Sequence, residues 1–454
     1  MQSRAPRLEN RRPAEASDLL TTNPSPASKT PAPSVPIVRQ ETEKRSARVI
    51  MLNDAFIDSL SSSIGKVEEA QSLPPACYTD ESFYAFEKEA IFHKEWLCAG
   101  RVSWLEQPGD YFTLSHANEP IVVAMTKAGE IRAMSAVCQH RAMLVAEGSG
   151  NARAFVCPYH HWTYGLDGKL IGAPAMERTC DFDRKAVALP PLAVEVWNGF
   201  IFVNLDPDAA PLAPRLGPIT EALANYELDV AEGPRPETPA SYPWNWKVML
   251  ENNNDGYHAT RLHRGPLHDF IPSELSEFPE LPPDTAGYLR FNGTTHPDVG
   301  FNALQKAVLP IFPKLTEAER NRVVFANLPP TLSLVVLSDF ILYLILYADS
   351  AGSHRMSMGY LVRPGAMEEP LFEARMAMNM SAAMEITAQD LHVDELVQIG
   401  LNSKFAPRGR YSWQETAQRD LNAWLVQRYR SAWEARQCPP PRTHPLKLET
   451  VSAA

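Results

Sequence analysis

Cysteine is scarce in this chain: six residues in 454, at positions 77, 98, 138, 157, 180 and 438. That density excludes a disulfide-stapled secreted scaffold. A cationic start followed by an apolar run and small residues is also missing, so no secretory leader is expected. Positive charge is short: 43 Lys and Arg stand against 54 Asp and Glu, a formal net charge of −11. No basic patch stands out, which argues against a nucleic-acid partner. Long uninterrupted apolar runs are lacking. The most apolar stretch, Leu328 to Tyr347, is broken by Pro329, Pro330, Ser333, Ser338 and Asp339, and it reads as buried strands, not a membrane span. There is no Gly-rich dinucleotide fingerprint, so nicotinamide should not bind here directly, and there is no internal repeat. The expected home is a reducing cytoplasm.

What is present is the composition of a globular protein long enough for two domains, with 44% apolar and 21% charged residues. Residues 1–70 read as a disordered, Pro-rich N-terminal extension, too acidic for a transit peptide, with Met51 as a second candidate start. Residues 71–206 read as a small antiparallel domain with a leading helix over Tyr78–His93, its Phe83, Phe86 and Ile91 near one stripe. Strands are expected at Trp96–Gly100, Asp110–Leu114, Ile121–Met125, Ile131–Val137, Ala154–Tyr159 and Val194–Leu205. A Pro-rich link over 207–218 opens an α+β domain, residues 207–436. Its helical periods at Lys247–His258 and Met367–Gly400 flank a strand-rich block from about Val323 to Val362. An amphipathic helix over Ser412–Tyr429 turns Trp424 and Leu425 inward, and 437–454 is a tail.

Two groups of residues carry chemistry. The first is Cys138-Gln139-His140, then, after sixteen intervening residues, Cys157-Pro158-Tyr159-His160. Two Cys/His pairs on separate loops can close round a two-iron cluster. Thiolates suit the iron that stays ferric, and neutral imidazoles on the other raise its potential. Structural zinc is the competing use of such a ligand set, but zinc motifs usually place a Cys pair ahead of a His pair. The run Cys157-Pro158-Tyr159-His160-His161-Trp162-Thr163-Tyr164, followed by Leu166-Asp167-Gly168, resembles the second cluster loop of Rieske proteins, specifically those of ring-hydroxylating oxygenases. His161 stands where that family commonly has Gly, and is expected beside the site, not as a ligand.

The second group is Asn245-Trp246-Lys247, then Glu251-Asn252-Asn253-Asn254-Asp255-Gly256-Tyr257-His258, then His263. Asp255 and His258 should share a helix face, while His258 and His263 lie about 140° apart on a regular helix. The helix must therefore end or distort before His263, and Arg264-Gly265-Pro266 supplies a breaker just after it. Two imidazoles and a carboxylate on one face of a ferrous ion form the facial triad of non-haem oxygenases. His268 is a less favoured ligand.

In this order the elements resemble the catalytic α subunit of Rieske non-haem iron oxygenases over roughly residues 75 to 435. The resemblance implies an α+β chain: an N-terminal all-β Rieske [2Fe-2S] domain, then a C-terminal helix-grip catalytic domain with an antiparallel sheet. It implies cluster ligands Cys138, His140, Cys157 and His160, and a mononuclear Fe(II) held by His258, His263 and Asp390. Asp390 is found by matching the run Gln389 to Leu401; Asp394 is the fallback, and Gln389 replaces a usual acid. Asp255 would bridge to a cluster histidine, His160 or His140, of a neighbouring subunit, which implies a homotrimer, with the presence of a β subunit left open. O2 is the implied co-substrate, and NAD(P)H would act only through a partner reductase, with or without a ferredoxin. The implied activity is mono- or dioxygenation of a small aromatic or related organic substrate. O- or N-demethylation is the runner-up, and a Rieske electron carrier without oxygenase activity the second alternative. Some N-demethylating relatives carry Glu at the bridging position, so Asp255 leans toward ring hydroxylation. Phe301, Leu304, Phe325, Val335 and Phe340 are candidate pocket walls; Arg261 and Arg264 are expected to face solvent. Cys77, Cys98, Cys180 and Cys438 are read as buried or incidental thiols.

Overall fold

Short alternating runs between residues 97 and 204 build a seven-stranded antiparallel sheet. Its order is Leu97–Arg101, Phe200–Asn204, Pro191–Trp197, Ile131–Ser135, Glu119–Met125, Asp110–His116 and Ser149–Asn151. The expected single strand at 194–205 is in fact a hairpin. Asn198 and Gly199 form its tip with φ of 48° and 76°, the left-handed pair that matches the twist of a tight hairpin. The expected strand at 154–159 is only Phe155–Val156, because the chain turns away immediately afterwards into a loop. With Thr163–Tyr164 and Leu170–Gly172 it forms a separate three-stranded sheet.

The computed structural model describes residues 52–437, apart from Thr238 and Pro266. The expectations for residues 1–51 and for Cys438 lie outside the described residues. Residues 52–70, read as part of a disordered extension, are ordered: helix Asp54–Ser59 and the turn Leu60–Ser63 bury Ile57 and Leu60 against the core. The leading helix is broken where Asp80 caps a new one, Glu81–Glu87, which then widens into a π turn at Lys88–Phe92. Phe83, Phe86 and Ile91 are all buried, as their spacing implied.

A second seven-stranded antiparallel sheet runs in the order Ala240–Tyr242, Ser353–Leu361, Ile341–Ser350, Leu332–Val336, Arg322–Leu328, Tyr288–Gly293 and Ser276–Glu277. Its central strands are buried on both faces, which explains the near-continuous apolar run at 328–347. Alternation sorts the faces. Val324, Ala326 and Leu328 pack with Phe200 and Phe202 of the first sheet, whereas Val323 and Phe325 turn to the helix-covered side with Phe372 and Met376. That side is covered by the 30-residue helix Phe372–Leu401. Residues 213–223, within and beyond the expected link, form a 3-10 turn and the helix Gly217–Leu223, with Pro218 in the first turn, where a missing N–H costs little. The last helix, Thr416–Gln437, buries Trp424 and Leu425 as expected. Among the described residues no helix is long and apolar enough to cross a membrane.

Candidate metal centres

The two Cys/His loops share one backbone design. In the first, Cys138 N donates to Met143 O at 2.8 Å and Ala142 N to Cys138 O at 3.0 Å; in the second, Cys157 N donates to Trp162 O at 2.8 Å and His161 N to Cys157 O at 2.9 Å. Each loop closes with its fifth residue left-handed, Ala142 at φ 57° and His161 at φ 56°. Glycine would meet that demand without strain, so the unusual His161 occupies a position set by turn geometry. Its side chain is exposed.

Cys138 and Cys157 are buried, whereas His140 is exposed and His160 half-buried. The two imidazoles meet edge to face at 4.5 Å, and Trp162 stacks on His140 at 4.8 Å. Tyr164 Oη accepts from Gln139 N at 3.0 Å and lies 3.3 Å from Cys138 Sγ. Nδ1 of His160 is buried without a hydrogen-bond partner among the described residues, a cost that ligation would remove. Inward sulfurs, outward imidazoles and an orphaned ring nitrogen fit a Cys₂His₂ two-iron cluster.

In the catalytic half, helix Trp246–Asn254 stops where Asp255 adopts an extended conformation and caps the short helix Gly256–Ala259. Asp255 and His258 therefore do not share a helical face. Asp255 instead binds the backbone, its Oδ1 accepting from Tyr257 N at 2.6 Å and His258 N at 3.3 Å. Its Oδ2 sits 3.1 Å from His258 Nδ1, close but poorly aligned, since that nitrogen has no well-directed acceptor among the described residues. The break also turns His263 back toward His258. Nε2 of His258 lies 3.1 Å from Nε2 of His263, and Asp390 Oδ1 lies 3.4 Å and 2.8 Å from the two. Three ligands about 2.1 Å from a first-row divalent ion at right angles would sit about 3 Å apart. The three side chains thus have the spacing of a facial donor set, and they are the one group of this kind among the described residues.

The far nitrogens are held too. Gln389 Oε1 lies 2.8 Å from His263 Nδ1; donation there fixes the tautomer that leaves Nε2 free. The substitution of Gln for an acid before Asp390 is thus compatible with that role, which sequence reasoning had passed over. Burial works against charge on His258, yet Asp255 and Asp390 lift it to about 9, so the cluster of donors favours a cation at its centre. Asp394 lies outside this group. Burial, with the like charge of Asp390, pushes it up to about 8. His268 is also apart, 3.7 Å from Glu274.

A cavity opens beside the donors. Phe301, Phe325 and Val335 line it as expected. Leu304 does not, being 61% exposed, and Phe340 lies wholly buried behind Phe301. Arg261 and Arg264 face solvent. The one basic side chain lining it besides the histidines, among the described residues, is Arg290, whose strand, Tyr288–Gly293, the sequence reading missed. Cys77 and Cys98 are buried and Cys180 is exposed.

An all-β domain with paired Cys/His loops, joined to a helix-covered sheet with a two-histidine, one-carboxylate group, defines a two-site iron protein. The chain belongs to the Rieske non-haem iron oxygenase α-subunit family: residues 95–193 match the Rieske [2Fe-2S] domain, and residues 224–431 the ring-hydroxylating α-subunit catalytic domain. It is 38% identical over 206 residues to the carnitine monooxygenase oxygenase subunit of Acinetobacter baumannii, covering 43% of this chain and 53% of that protein. The chain thus spans about half the length of the curated relatives it matches. Among solved structures, a quaternary ammonium Rieske monooxygenase aligns with a TM-score of 0.69 at 25% identity, over 84% of this chain and 100% of that one. Naphthalene 1,2-dioxygenase from Rhodococcus sp. gives the same TM-score at 21% identity, over 84% and 99%, a likeness of fold alone.

Proposed function

We propose that this chain is the terminal oxygenase of a Rieske system, taking NAD(P)H-derived electrons from a partner reductase, directly or through a ferredoxin, and oxygenating a small organic molecule in the cavity beside His258. The observation that carries this is the convergence of His258 Nε2, His263 Nε2 and Asp390 Oδ1 on the wall of that cavity. When bound, a [2Fe-2S] cluster at Cys138, His140, Cys157 and His160 supplies single electrons, and a ferrous ion at His258, His263 and Asp390 supplies the activation of dioxygen.

The chain's own residues do the positioning. Gln389 holds the His263 ring, and Asp255 caps and flanks His258. Apolar side chains such as Ile271, Val335 and Leu342 line the cavity and limit water near the donors. The exposure of His140 supports the arrangement we propose, with Asp255 of one subunit next to His140 or His160 of a neighbour, within a homotrimer. The division into a cluster domain ending near residue 206 and a catalytic domain beginning near 207 belongs to the same proposal.

The balance between substrate classes shifts from the aromatic compounds favoured by Asp255. The relatives above are named for carnitine and quaternary ammonium compounds, which supports monooxygenation of a small polar molecule ahead of aromatic dioxygenation. Oxidation of an N-methyl carbon would release formaldehyde; a cis-diol product would restore the aromatic reading. The test combines metal analysis of the reconstituted full chain with oxygen uptake and peroxide release, driven by a surrogate reductase across a substrate panel. About one mononuclear iron per chain and substrate-stimulated uptake are expected. A loaded cluster with no mononuclear iron would defeat the proposal and leave an electron carrier.

A further inference from the structure

The cavity wall contains a buried positive charge that feels the carboxylate of Asp255 through space but forms no ion pair at contact distance among the described residues. Arg290 is 4% exposed and lies on strand Tyr288–Gly293. Among the described residues no carboxylate lies within ion-pair distance of it, although such pairs are common elsewhere in the chain. Its one side-chain hydrogen bond among the described residues is a long one, from Nη1 to Asn292 Oδ1 at 3.3 Å. That oxygen already accepts from Ser276 Oγ at 2.8 Å, and the amide nitrogen of Asn292 is committed to Pro272 O and Gly293 O. Among the described residues Nε of Arg290 has no hydrogen-bond partner, and neither has the buried hydroxyl of Ser273, which lines the same cavity.

Stacking explains part of this. The guanidinium carbon lies 3.8 Å from the centre of the Phe325 ring, which accommodates the flat face of the cation. It leaves the edge unsatisfied, and the edge is where the N–H donors point and where a carboxylate binds. Burial pulls Arg290 down to about 10, so the group is still charged at neutral pH. Its location is also specific: a Cβ added to Gly256 would come 3.0 Å from Nη1, so the guanidinium rests against the residue that follows Asp255, two before His258.

We propose that Arg290, with the Ser273 hydroxyl as a second donor, anchors a carboxylate of the ligand, so that the cavity selects small organic acids, zwitterions included, over their uncharged counterparts. Calling that ligand a substrate rests on the oxygenase reading above; the anion subsite does not. A cationic head without an acid group would meet like charge here.

The test titrates anaerobic, reduced, iron-loaded holoenzyme by calorimetry with benzoate, hexanoate and L-carnitine, and in parallel with the amide of each. At least one acid should bind roughly 30-fold or more tightly than its amide, as expected for a charged group meeting a desolvated partner. Arg290→Met should remove that preference by weakening the acid while leaving the amide within about threefold, with the cluster spectrum and iron content unchanged. Should Arg290→Met not accumulate as folded protein, Ser273→Ala carries the comparison, with an acid-to-amide ratio about three- to tenfold lower. The proposal is overturned if no acid is bound better than its amide, a complete lack of binding included, or if the variants weaken acid and amide alike. Selective acid binding without reductase-driven oxygen uptake would refute the oxygenase reading and leave the subsite standing. Uptake indifferent to the carboxylate would do the reverse.

Discussion

Replacing Lys247 with methionine should loosen the whole seat of the mononuclear site. Lys247 Nζ lies 2.6 Å from Glu87 Oε1, with both side chains fully buried. Tyr429 Oη donates to the same oxygen, and among the described residues Glu87 Oε2 has no hydrogen-bond partner. The ammonium is also framed by Trp246 and Tyr78, 4.9 and 5.3 Å from the ring centres. Without the cation, a carboxylate stays buried with a single hydroxyl to satisfy it. Breaking a buried pair from one side typically costs about 3–5 kcal/mol, against a total stability on the order of 5–15 kcal/mol for a domain. Neutralising both partners is far milder, so Glu87→Gln combined with Lys247→Met should regain about half of the loss or more. Urea unfolding of the holoenzyme, followed by tryptophan fluorescence, measures the cycle. Since helix Trp246–Asn254 ends at Asp255, iron retention at intermediate urea should fall in parallel. A single-variant cost below about 1 kcal/mol, or a double variant as unstable as the two singles summed, would refute the assignment of this pair as an anchor.

Four further outcomes follow, three at the site and one in the core beside it. Asp390→Ala should drop mononuclear iron well below one per chain while the cluster spectrum persists, whereas Asp394→Asn should retain the iron; metal analysis of both, with the opposite pattern, would make Asp394 the ligand. Gln389→Leu should weaken iron binding about 10- to 100-fold by freeing the His263 ring, with Gln389→Glu recovering most of it in a chelator competition. Asp255→Ser keeps a side-chain acceptor at the helix start but removes the carboxylate beside His258, so coupled turnover should fall about 10- to 100-fold or more with both metals loaded; normal rates would remove Asp255 from the electron path. Burial pushes Asp339 up to about 6 despite donors from Leu309 N and Val308 N. The folded state then binds the extra proton between roughly pH 4 and 6, so its contribution is complete below that window and lost as pH rises through it, by up to about 3 kcal/mol. Asp339→Asn should flatten that slope in pH-dependent urea unfolding.

The parts of the molecule that were legible are those set by local geometry. The Cys138–His140 and Cys157–His160 loops are closed by hydrogen bonds spanning four and five residues, so their spacing alone carries the matched Cys/His turns. The break before His263 was likewise forced by helix geometry, although the sequence did not show that it falls at Asp255. Asn198-Gly199 was legible as a hairpin turn and was passed over because the strands on both sides, Glu195 and Asn204 apart, form one nearly continuous apolar run. The choice between Asp390 and Asp394 was different. Both sit on one long helix with similar local surroundings, and what separates them is which turn faces His258, a tertiary property. Arg290 gave no signal at all, because an arginine in a short strand between loops looks like any exposed cation until the packing around it is known.

That tertiary register has an identifiable source. Asn245 caps the helix leading to Asp255 through Lys247 N, and its own backbone N–H donates to Gln398 Oε1 at 2.9 Å. Gln398 lies eight residues after Asp390 on the long helix, and its amide nitrogen donates in turn to Tyr78 O at 3.2 Å. A one-residue slip between the two helices would rotate Asp390 by about 100° away from the histidines, and this buried side-chain bond is broken by any such slip. The Asn-Trp-Lys run and the late Val-Gln-x-Gly-Leu run, more than 150 residues apart, are therefore two halves of one contact. Gln398→Leu should leave the cluster domain untouched and lower iron occupancy of a folded chain, because what it removes is the alignment of donors that are all still present.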